Sequence, residues 1–61
     1  MPLSGKEMVK LYEREGWRAR RQNGSHVTMV KGPHRATIPM HREIKIETEH
    51  DLLKKLKEGR L

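Results

Sequence analysis

Asn23-Gly24-Ser25-His26-Val27-Thr28-Met29-Val30 is the stretch that decides how this chain folds. Asn-Gly is a hairpin turn signal, because both residue types tolerate the positive φ that tight turns require. After the turn the residues alternate. Val27 and Met29 share one face of a strand, and His26 and Thr28 share the other. Further on, Lys31-Gly32-Pro33 marks a second turn. Ala36, Ile38 and Met40 then share one face of the next strand. Working back from the turn, 17–22 is a strand as well. The sequence therefore predicts three short strands over 17–22, 25–30 and 35–40.

A helix precedes the strands. Ser4 and Glu7 have the spacing of a capping box, with Leu3 and Met8 at the spacing of a hydrophobic staple. Met8, Leu11 and Tyr12 fall on one helical face, and Gly16 closes the helix. A second helix is expected from about Thr48, with Asp51 as its capping partner. Leu52, Leu53 and Leu56 form its apolar face, and Gly59 ends it. Its acids lie early and Lys54, Lys55 and Lys57 late, as the helix dipole favours. The stretch 41–47 is a connection with Ile44 and Ile46 turned inward. The expected fold is α+β, in the order α-β-β-β-α, as one domain over 1–61. It is a three-stranded antiparallel sheet with both helices on one face.

The first strand sets a problem of register. A two-residue turn at Asn23-Gly24 pairs Arg21 with His26, which puts Trp17 and Ala19 on the histidine's face. Trp17 is the largest apolar side chain in the sequence and belongs in the core. A bulge or an odd-length loop around Asn23-Gly24 resolves the conflict, returning Trp17 and Ala19 to the core. It also brings Arg18 and Arg20 onto the open face beside His26. Thr28 and Thr37 share that face.

Composition narrows the function. The chain has 61 residues, only 33% of them hydrophobic, and no Phe, so its core is small and its stability marginal. Lys and Arg number 14 against 8 Asp and Glu, a net charge of +6 that favours a polyanionic partner. There is no Cys, which excludes disulfides and Cys-based zinc sites. No apolar run nears membrane-spanning length and no signal peptide is visible, so a cytoplasmic protein with no membrane association is expected. The four histidines have no metal-ligand spacing, so neither a metal nor another cofactor is expected.

Cutting RNA without a metal takes a base for the ribose 2′-OH, an acid for the departing 5′-oxygen and a cation for the charge on phosphorus. A histidine can take either proton-transfer role near neutral pH. Arginines hold phosphate through a planar fork of donors. His26 is the candidate for proton transfer, and Arg18, Arg20, Arg21 and Lys31 are the candidates for binding phosphate. The residues alone leave a second reading open, in which His26 only caps the hairpin. His41, after Pro39-Met40, is either a supporting group or a loop histidine bonded to nearby backbone. His34 falls in a turn and His50 in the first turn of the second helix, both at the surface.

Leu11-Tyr12-Glu13-Arg14-Glu15-Gly16-Trp17, Arg21-Gln22-Asn23-Gly24-Ser25-His26 and Thr37-Ile38-Pro39-Met40-His41 together resemble the HicA, or YcfA-like, family of small toxins from toxin–antitoxin pairs. The Gly-Ser-His run with the downstream Pro-x-His carries most of that resemblance. It implies a fold like the double-stranded-RNA-binding domain and a ribonuclease that cleaves mRNA. It also implies that His26 is required, and that a HicB-type antitoxin covers the active surface. Ser25 and His41, which lie in the matching motifs, join Arg18, Arg20, Arg21 and Lys31 as expected RNA-binding residues. One departure stands out. Family members usually approach the last helix through a Gly-Thr-type stretch, whereas here it reads Ile46-Glu47-Thr48, with Glu49 and Asp51 close behind. A non-catalytic RNA-binding module of the same fold, or a module docking an acidic protein, are the alternatives.

Overall fold

A computed structural model describes residues 2–60; Met1 and Leu61, the ends of the expected domain, lie outside the described residues. The order of elements is α1 (Gly5–Arg14), β1 (Arg18–Asn23), β2 (His26–Lys31), β3 (His34–Pro39) and α2 (Ile46–Glu58). The strands form one antiparallel sheet in the order β1-β2-β3. Both helices lie on one side of it. This is the α+β, double-stranded-RNA-binding-domain-like arrangement that the sequence predicts.

Helix α1 is punctuated as its sequence requires. Ser4 accepts from the Glu7 N–H at 3.1 Å, and Glu7 accepts from the Ser4 N–H at 2.9 Å. At the other end, the Gly16 N–H reaches the Glu13 carbonyl and the Trp17 N–H reaches the Tyr12 carbonyl. That pair of bonds is a Schellman motif, with Gly16 at φ +90°. Its usual hydrophobic contact is an aromatic pair here. The Tyr12 and Trp17 rings meet edge to face, 4.7 Å between centroids. The helix ending thus carries Trp17 into the core, where it is 2% exposed.

Met8 and Tyr12 from α1, Val27 and Met29 from β2, Ala36 and Ile38 from β3, and Leu52 and Leu56 from α2 close the core with Trp17 and Ile44. The covered sheet face is the one that alternation picked out. The Tyr12 hydroxyl donates to the Leu52 carbonyl at 2.5 Å and so ties α1 to α2.

Three expectations need correcting. The bulge lies at Arg20, within β1, rather than at the turn: Ala19 faces Met29 and Arg21 faces Thr28, with Arg20 the extra residue. The turn residues are Gly24-Ser25, because Asn23 pairs with His26. Only the first of them has positive φ (+61°), the type II′ pattern. Ala19 does reach the covered side, opposite Met29, yet it stays exposed, as does every residue of the edge strand β1.

The second correction concerns the start of α2. It begins at Ile46, two residues before Thr48, and its N-cap Lys45 makes no side-chain cap bond. The expected Thr48–Asp51 box does not form. The Leu3 N–H donates to Glu49 Oε1 at 2.7 Å and the Ile44 N–H to the Leu3 carbonyl at 2.8 Å. These bonds pin the helix start against the N-terminal segment. The third is Ile46, which was expected inside with Ile44. Ile44 is buried, but Ile46 sits on the outer side of the first helical turn and is 64% exposed.

Candidate nucleic-acid interface

The face of the sheet away from the helices is built by the pairing register. Asn23, His26 and Pro39 lie in one row across the three strands. Arg21, Thr28 and Thr37 lie in the next, and Arg18, Val30 and Arg35 in the third. The bulge places Arg20 beside Arg21, and the two line one shallow concavity with Thr28, Thr37 and Arg35. A second concavity adjoins it, lined by Arg18, Arg20, Val30 and Arg35 next to the β2–β3 turn. An unbulged strand would hold arginines on this face only at alternate positions. The extra residue adds one more, so β1 contributes three.

His26 stands at the end of this array, exposed at the first position of β2. Ser25 is exposed in the turn beside it, and its carbonyl accepts from the Met40 N–H at 2.6 Å. Arg18, Arg20, Arg21, Ser25 and His26 are therefore brought to one side of the hairpin.

Two expected residues lie elsewhere. Lys31 falls on the helix-covered side, in step with Val27 and Met29. Its Nζ donates to the Glu15 carbonyl at 2.6 Å, where it closes the C-terminal end of α1. His41 lies beyond the end of β3. Its carbonyl accepts from the Gly5 N–H at 2.8 Å, and it borders a hollow with Ser4, Lys6 and Arg42 rather than the arginines. His34 is not a solvated turn residue. It is half-buried with its ring 6.2 Å from that of Trp17. His50 is exposed, as expected.

Arg35 is the residue that reading the sequence missed. The signal was available, since Arg35 is two positions from Thr37 and must share its face. Among the described residues the one ion pair is Arg60 Nε to Glu15 Oε1, 2.6 Å, at the far end of the helical layer. It holds the Glu15 carboxyl below the usual range through the hydrogen bond from Arg60. The four open-face arginines have no carboxylate partner among the described residues. Among the described residues the mutual repulsion on that face is left uncompensated, a charge distribution that favours an anionic ligand there.

The only aromatic side chains, Tyr12 and Trp17, are buried under the opposite face. No group of three or more His, Asp or Glu among the described residues is placed to hold a metal ion. No helix among them is long and apolar enough to cross a membrane.

Comparison with curated proteins and with solved structures finds no match. The family model described as the HicA toxin of bacterial toxin–antitoxin systems matches residues 5–57, which takes in α1, the whole sheet, the Gly-Ser-His turn and all but the last residue of α2; the chain belongs to the HicA toxin family.

Proposed function

We propose that this HicA-family chain is the toxin of a HicA/HicB-type pair and acts as an endoribonuclease that cleaves mRNA by histidine acid–base chemistry, with no cofactor. The observation that carries the reading is the position of His26. It is an exposed histidine on the same sheet face as four arginines that have no acidic partner among the described residues. In this reaction the ribose 2′-oxygen loses its proton and bonds to phosphorus. The phosphorus–5′-oxygen bond breaks, and the departing oxygen takes a proton. The products are a 2′,3′-cyclic phosphate and a 5′-hydroxyl. His26 performs one of the two proton transfers. Arg20, Arg21 and Arg18 hold the phosphates of the RNA backbone, and their positive field offsets the charge that gathers on the scissile one in the transition state. His41 is kept as a supporting group on the strength of the motif alone.

A HicB-type antitoxin covering this face would both inhibit the enzyme and satisfy the arginines, and both proteins would act in the cytoplasm. RNA is the ligand favoured over an acidic protein because the array sits with a proton-transfer group rather than an apolar patch.

The test is RNA cleavage by purified protein, with and without EDTA, beside His26→Ala prepared identically. Cleavage is expected to survive EDTA and to disappear in the variant, while circular dichroism of the two proteins superimposes. Equal cleavage in both preparations, or none in either, makes the chain an RNA-binding module instead.

A further inference from the structure

The arginine array extends well past His26, further than one scissile phosphate needs. Along β2 the open-face positions run His26, Thr28, Val30. Each step is two residues, about 6.7 Å at the usual strand rise. Thr28 floors the first concavity and Val30 lies in the second. Arg20 and Arg35 belong to both, so they form the shared wall. Arg21 belongs only to the first and Arg18 only to the second.

The walls come from the two outer strands, β1 supplying Arg18, Arg20 and Arg21 and β3 supplying Arg35. Outer strands on either side of a central one are about 10 Å apart. Such a trough admits one phosphodiester backbone laid along β2, and its four arginines line two adjoining concavities with none left over for a second strand. Its floor is Thr28 and Val30. The floor of the trough carries no aromatic ring on which a base could stack: Tyr12 and Trp17 are both buried, and the His26 ring stands at its end. The open face's one side-chain amide, Asn23, pairs across from His26 at the end of the trough.

Resting on the reading of RNA as the ligand, we infer that β2 is the floor of a track for single-stranded RNA. Two phosphate subsites, Arg20/Arg21/Arg35 and then Arg18/Arg20/Arg35, seat the two phosphates that follow the one at His26. The track holds backbone and ignores bases. Base recognition is confined to the nucleotides flanking the cleaved bond, beside Asn23. Phosphate contacts of this kind fix register without carrying sequence information.

The experiment measures binding to a 2′-O-methyl tetranucleotide by fluorescence anisotropy. The methyl group blocks attack by the 2′-oxygen, so binding is read apart from cleavage. Each phosphate in turn is replaced by a neutral methylphosphonate, and each base in turn is removed. A methylphosphonate at either track position is expected to weaken binding about tenfold, in line with loss of a charge-assisted contact. Removing the base at the same positions is expected to change it less than about twofold. Arg21→Gln should reduce sensitivity at the nearer phosphate only, Arg18→Gln at the farther only, and Arg35→Gln at both. All three side chains are exposed, so the fold should persist, and circular dichroism checks it.

The track is overturned if Arg18→Gln and Arg21→Gln affect the two phosphates alike. It is equally overturned if base removal costs more than loss of charge, or if a duplex of the same chemistry binds more tightly than the single strand. Binding with this pattern by a protein that never cleaves ordinary RNA would sink the nuclease reading and leave the track standing. No binding to any probe by a protein that does cleave would sink the track and leave the nuclease.

Discussion

Tyr12 is the only tyrosine in the chain, and its hydroxyl hydrogen-bonds α1 directly to the backbone of α2. Burial, reinforced by the nearby Glu58 carboxylate, pushes it up from 10.0 to about 12. An acid whose folded value is raised favours folding while it stays protonated. Its contribution is complete below about 10, the unfolded value, and is lost as pH climbs towards 12. Tyrosinate absorbance is therefore expected to appear between these limits together with loss of the helical circular dichroism signal. A tyrosinate step near 10 with the fold intact would show that the hydroxyl is not held as described. At the same scale, parity along a strand explains what was legible in the site. Alternation puts His26 and Thr28 on the open face, and the need to bury Trp17 adds Arg18 and Arg20; Arg21 reaches that face only because the bulge lies at Arg20. Lys31 was grouped with them by charge, although it is an odd number of positions from His26 and so belongs on the covered side. Arg35 was overlooked although parity with Thr37 fixes it. In both cases position along the strand, not residue type, decides the face.

Among the elements, β1 shows how one residue changes a surface. Ala19 opposite Met29 and Arg21 opposite Thr28 would be consecutive rungs of a regular ladder if Arg20 were absent. Deleting Arg20 is thus expected to leave the fold and the position of Trp17 intact, with a melting temperature within a few degrees of the parent, because no core contact is removed. RNA affinity should fall, since both concavities lose a wall. Collapse of the fold on deletion would mean that the bulge shapes the sheet itself. The need for an irregularity was visible in the sequence, because Trp17 had to be buried. Its position was not, since any bulge between Trp17 and His26 restores the same parity. The end of α2 makes a second case. Gly59 has an ordinary φ of −66°, so its glycine is not required for a left-handed cap. A Cβ there would lie 2.7 Å from Trp17 Cζ2 and 2.9 Å from its Nε1, against a rigid ring already packed between helices. Gly59→Ala gains at most about 1 kcal/mol of helix propensity. It forces a core shift of about 1–3 kcal/mol. The net expectation is a lower melting temperature with red-shifted fluorescence from the single tryptophan. An unchanged spectrum would show that α2 simply moves aside. A backbone glycine whose role is to make room for a distant ring cannot be told from a helix stop by local sequence. Likewise, the false start at Thr48 arose because Glu49 is engaged by Leu3, a residue 46 positions away.

At the scale of the molecule, charge is divided between the two layers. All eight acidic residues lie outside 16–42, and that segment contains six of the fourteen basic ones. It therefore carries the whole net charge of +6, while the remainder of the chain balances to zero. The acids at the start of α2 fit this division. They belong to the helical layer, away from the arginine face, so they do not oppose an anion lying across the sheet. The same division separates two explanations of RNA binding that net charge cannot. Thr37→Glu and Lys54→Gln both reduce the net charge by one at exposed positions, the first among the open-face arginines and the second on the outer side of α2. If attraction is general, both should weaken RNA binding equally. If the sheet face is the interface, Thr37→Glu should weaken it about tenfold or more, since it supplies a carboxylate partner for Arg35 and Arg21 and excludes phosphate from between them. It should also flatten the salt dependence, because each phosphate contact with a single strand adds about 0.7 to the slope of log K against log salt. Lys54→Gln should leave both affinity and slope close to the parent. Equal losses in the two variants would remove the sheet face from the interface and return the binding to diffuse charge.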